Sequence, residues 1–109
     1  KSVEVFQTIV KENPTSEIVE EILINIGDIY SLTNRFSDAV AVYEKLNIDF
    51  PESIMTDKSQ MKIATVYQLG LKENDKAMAA YQKLLEQFPN SIYVSEARRR
   101  IRELRGDAL

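Results

Sequence analysis

The chain has 109 residues, 44% of them hydrophobic and 28% charged, with a formal charge of −3 and no Cys, His or Trp. That size limits it to one domain with a modest core. The missing residue types remove thiol chemistry, disulfides, Cys/His zinc sites and imidazole acid/base catalysis together. No apolar run approaches the roughly 18 residues a membrane span requires. The charge is uneven: five Arg between residues 98 and 109 face only Glu103 and Asp107, so an acidic body carries a basic end. The first residue is Lys1, as expected of a processed or excised piece, and the compartment stays open.

In chain order, helices are expected over residues 2–12, 16–32, 35–48, 53–69, 74–87 and 91–105. The first carries Val3, Phe6, Ile9 and Val10 on one face. The second places Ile22, Ile26, Ile29, Tyr30 and Leu32 on one face at helical spacing, and the third does the same with Phe36, Ala39, Val40, Tyr43 and Leu46. Between them, "TNR" at 33–35 holds an Asn able to take the left-handed conformation of a helix stop; Gly70 is expected to play that part in the next pair. The phrase "DFPESI" at 49–54 returns as "QFPNSI" at 87–92. Each Pro ends a helix because it lacks the N–H that continues the ladder. Ser16, Ser53 and Ser91 are then placed to cap the helices that follow. No segment alternates at period two for long enough to form a strand.

Pro14, Pro51 and Pro89 recur at intervals of 37 and 38 residues, each preceded eight positions earlier by an aromatic (Phe6, Tyr43, Tyr81) and followed twelve later by Ile26, Ile63 and Ile101. A period of that length means stacked units of two helices. Gly27 with Ala39, and Ala64 with Ala77, are expected to let the paired helices cross closely.

The run Leu23, Ile26, Gly27, Tyr30, Ala39, Tyr43, Pro51, repeated as Ile63, Ala64, Tyr67, Ala77, Tyr81, Pro89, resembles the tetratricopeptide repeat. Leu23 and Gln60 stand where that family often has Trp, and the period exceeds its usual length of about 34. The resemblance implies an all-α, right-handed superhelical stack of antiparallel helix pairs, about six helices in one domain over 1–109. It divides into the second helix of a truncated repeat (1–14), repeats at 15–51 and 52–89, and a terminal capping helix (90–109). The phrase "FPxS" and the ending "YVSEARRRIREL" are similar to tetratricopeptide proteins of the bacterial cell envelope, such as the Tol-Pal coordinator and the outer-membrane assembly lipoprotein. That likeness implies the periplasm, with the cytoplasm as alternative.

In the family the first helix of each repeat lines a concave, partner-binding face. Carried over, the resemblance implies Glu21, Ile24, Asp28 and Ser31, then Lys58, Met61, Thr65 and Gln68, then Glu96, Arg99 and Glu103. Ile24 and Met61 would form an apolar floor for a peptide with apolar anchors and basic flanks, or else pack between repeats. Asp28 stands where the family's carboxylate-binding clamp has Asn, which disfavours a chaperone C-terminus as ligand. The stripe Arg98, Arg102, Arg105 is either a solvated cap that ends the stack or an anion-binding face. Two alternatives to a peptide groove therefore remain: self-association through Val3, Phe6, Ile9 and Val10, and anionic-ligand binding by the Arg helix. No nucleophile motif, phosphate loop or calcium loop is present, so no catalytic residue, metal or cofactor is expected, and nucleic acid is not an expected partner.

Overall fold

A computed structural model describes residues 16–106. Five helices follow one another: α1 (Ser16–Leu32), α2 (Phe36–Asp49), α3 (Thr56–Thr65), α4 (Asn74–Gln87) and α5 (Val94–Arg105). α3 runs on as one π-helical turn, Val66–Gly70. There is no strand among the described residues. The helix expected over 2–12, with its Val3, Phe6, Ile9 and Val10 face, lies outside them. No described helix is long and apolar enough to cross a membrane.

Each helix packs on the next, so the chain is an all-α helical-repeat solenoid. The repetition is visible in the core. α2 buries Ala39, Val40, Tyr43 and Leu46; α4 buries Ala77, Ala80, Tyr81 and Leu84. Opposite them, α1 contributes Val19, Leu23, Ile26 and Tyr30, and α3 contributes Ile63 and Ala64. Gln60 is also buried. Its Nε2 donates to the Ala80 carbonyl at 3.0 Å, and its Oε1 accepts from Asn47 Nδ2 at 3.3 Å. A buried amide is tolerable only when satisfied in this way, and here it ties α2, α3 and α4 together.

At the first crossing Gly27 is set against an aromatic ring. A Cβ added to Gly27 would lie 2.6 Å from Tyr43 Cζ and 2.8 Å from Cδ1. Tyr43 is 1% exposed, so its ring has nowhere to retreat.

Asn34 takes φ = 63° at the end of α1, as its residue type leads one to expect. Gly70 does not do the same after α3. Lys72 holds the left-handed position there, with φ = 58°, while Gly70 gives close approach to Phe36, whose Cδ1 would lie 2.6 Å from an added Cβ. The lengthened second repeat explains the difference. Tyr30 and Tyr67 are 37 apart but Tyr43 and Tyr81 are 38 apart, so one residue is added between Tyr67 and Tyr81. The π turn absorbs it: Leu71 N donates to Val66 O at 2.9 Å, and the closing bond runs from Glu73 N to Tyr67 O where the first repeat has Arg35 N to Tyr30 O. A Lys in this conformation costs about 1–2 kcal/mol. Lys72→Gly, at an exposed site, is expected to gain about 0.5–1 kcal/mol net of glycine's own entropy. A thermal melt should show this as a rise of a few degrees.

α2 and α4 end where expected: Phe50 N and Phe88 N donate to Leu46 O and Leu84 O, both at 2.8 Å, just before the prolines. The next helices, however, begin at Thr56 and Val94, three residues later than the expected 53 and 91. Ser53 and Ser91 sit in the preceding turn. Their hydroxyls accept from Met55 N (2.9 Å) and Tyr93 N (3.1 Å) while donating to carboxylates of the preceding repeat's first helix, Glu20 Oε1 and Asp57 Oδ2, both at 2.7 Å. These serines are therefore repeat-to-repeat ties rather than helix N-caps.

Candidate functional site

The first helices of the two repeats, α1 and α3, border an open groove of about 670 Å³, within the usual range for ligand sites. Its walls come from spacing. Leu32 and Leu69 are 37 residues apart, the last apolar positions of equivalent helices. They project at 84% and 52% exposure and both line the groove. Met61 and Val66 add apolar surface from α3, Phe36 from the start of α2, and Tyr93 from the turn before α5. The π turn thus places three of its residues, Val66, Leu69 and Gly70, on this wall.

A polar cluster closes one side. Asp28 Oδ1 accepts from the Tyr43 hydroxyl at 2.5 Å and from Lys62 Nζ at 2.9 Å. The Lys62 contact is an ion pair between helices of different repeats, with both side chains partly shielded. Burial, reinforced by the bond to Asp28, pushes the Tyr43 phenol well above its ordinary pKa, so it stays a donor. In the second repeat the equivalent Tyr81 donates to Gln68 Oε1 at 2.7 Å, and burial raises its pKa also. Lys58 is exposed on the groove wall and forms no ion pair among the described residues.

Of the residues named from sequence, Asp28, Ser31, Lys58, Met61 and Thr65 come together on this groove. Ile24 does not join Met61 as its floor. At 4% exposure Ile24 belongs to the buried core, whereas Met61, 7% exposed, serves both core and groove. Gln68 is engaged by Tyr81. Glu21 is exposed outside the groove lining, and Arg99 is bound up with Glu96 and Glu103 on α5. Lys62 already pairs with Asp28, which leaves Lys58 as the groove cation without an ion pair among the described residues. Leu32, expected on the packed face of its helix with Ile26 and Tyr30, instead projects from the last turn of α1 into this groove. Leu69, Lys62 and Tyr93 are not singled out by the sequence, although the repeat of Leu32 at Leu69 is a signal that points to the second leucine. Among the described residues no cluster of acidic side chains is arranged to hold a metal ion.

Family models described as tetratricopeptide repeat match residues 20–47 and 58–91, together more than half of the chain. The matches extend to the repeat itself and carry no likeness to the cell-envelope members. Comparison with curated proteins gave no match. Tetratricopeptide repeats in general mediate protein–protein contacts and are non-catalytic, and the two matched segments coincide with the two helix pairs α1/α2 and α3/α4. The chain belongs to the tetratricopeptide-repeat family.

Proposed function

We propose that the chain is a non-catalytic interaction module that receives a peptide or protein segment in the groove between α1 and α3, as a scaffold element of a bacterial multiprotein complex. The observation that carries this reading is the exposure of Leu32 and Leu69 at repeat-equivalent positions beside Met61 and Phe36. Single exposed leucines are ordinary on protein surfaces, but a pair in register on one concave wall forms a track for apolar anchors. Lys58, Asp28 and Lys62 supply the polar groups that orient a bound segment. The bacterial setting rests on the likeness of the "FPxS" phrase to cell-envelope proteins.

The test is a selection of displayed peptides on the folded protein, followed by affinity measurement. Leu32→Asp/Leu69→Asp changes only exposed side chains, so the fold should persist. The selected peptides should lose at least about tenfold in affinity, as expected when central apolar anchors are removed. Ile48→Asp, at another exposed position outside this groove, should leave binding unchanged. Equal loss in both variants would remove the groove as the site.

A further inference from the structure

The last helix offers a second surface. α5 follows α4 as α1 and α3 stand in their own repeats, and Arg102 occupies the position held by Gly27 and Ala64. At Gly27 that position lies directly beneath the ring of Tyr43. An aromatic presented in the same way to α5 would meet the Arg102 side chain instead, so the face is closed to one more helix of the α2 or α4 kind. Beside it, a furrow of about 320 Å³ runs between α4 and α5, with Leu85 and Ile101 in its lining and Arg98, Arg102 and Arg105 along its edge. Arg98 and Arg102 are exposed and make no ion pair among the described residues, whereas Arg99 and Arg100 are paired with Glu96 or Glu103. Arg98 and Arg102, both along the furrow, are thus open to a partner's carboxylates.

We propose that this end face docks an acidic amphipathic helix, with carboxylates one turn apart pairing with Arg98 and Arg102 and an apolar side chain seated against Leu85. The charge spacing fits: residues four apart on α5 are neighbours on its surface, as are carboxylates four apart on a facing helix. A nucleic acid fits less well. Residues 1–97 carry nine basic and fifteen acidic side chains, so a long polyanion would meet repulsion beyond these arginines.

The probe is a synthetic amphipathic helical peptide with a leucine seam flanked by Glu at i and i+4, compared with the same peptide carrying Gln at those positions. Fluorescence anisotropy at low ionic strength should show binding of the Glu peptide, weakened by salt and by at least about tenfold in Arg98→Gln/Arg102→Gln. Circular dichroism should show that variant folded, since both side chains are exposed. Leu32→Asp/Leu69→Asp should bind the Glu peptide normally, which separates this surface from the α1/α3 groove. The proposal is overturned by no binding, or by equal binding of the Glu and Gln peptides. It is equally overturned if a single-stranded oligonucleotide or an anionic vesicle binds more tightly through the same arginines. A mass that doubles with concentration and reverts in the arginine variant would make a second copy the occupant, and overturn it too.

Discussion

Gly27→Leu is expected to destabilise the protein by about 1–3 kcal/mol, the usual range for overpacking a filled core. For a domain of this size each kcal/mol lowers Tm by about 4–8 °C. The cause is specific. The added side chain must enter space held by the Tyr43 ring, and that ring is fixed at its far end by the hydroxyl's bond to Asp28. Gly27→Ala is the sharper companion. A helix-interior Gly→Ala change alone would gain up to about 1 kcal/mol, so a net loss shows that the ring contact outweighs propensity. Thermal or urea unfolding reads both variants, and an unchanged midpoint for Gly27→Leu would mean that α1 and α2 do not cross at this residue.

The second large effect concerns the repeated phrase. Ser53→Ala removes the hydroxyl that donates to Glu20, a carboxylate only 7% exposed. Stranding a buried acceptor costs about 1–3 kcal/mol, more than the hydrogen bond itself contributes. Ser91→Ala breaks the equivalent bond to Asp57, whose side chain is only half-buried, so water can replace the hydroxyl and the loss should be smaller. Denaturant midpoints for the two variants test this ordering. A double-mutant cycle of Ser53→Ala with Glu20→Gln should give a non-zero coupling, as residues in direct contact do. Equal, negligible losses at both serines would leave the phrase as a helix stop and nothing more.

The phrase was legible as a helix stop because Pro acts locally, but its Ser was misread as the cap of the next helix, which starts three residues later. The tie that Ser53 makes instead was not legible, since Glu20 lies 33 residues away and only the stacking of the repeats brings them together. The helix pairs could be read from periodicity, and Asn34 from its tolerance of positive φ. Gly70 misled for a physical reason: glycine serves both left-handed turns and close approaches, and the choice between them depends on Phe36 arriving from another helix. The added residue of the second repeat was visible in the spacing, but not its absorption into a π turn on the groove wall. Likewise the pairing of Asp28 with Lys62 could not be read in the sequence, because Lys62 reaches it from the neighbouring repeat. Ile24 and Met61 look alike by spacing. Burial separates them, and burial depends on how far the neighbouring helices cover each position.

The groove reading is tested most directly by titrating a selected peptide into isotopically labelled protein and following the methyl resonances. The account predicts shifts concentrated at Leu32, Met61, Val66 and Leu69, with Ile48 and Ile63 unmoved. Shifts centred on Ile48 and Ile63, with Leu32 and Leu69 silent, would put the partner in the furrow lined by Gln60, Ile63 and Tyr67, and would contradict the assignment of the α1/α3 groove as the binding surface.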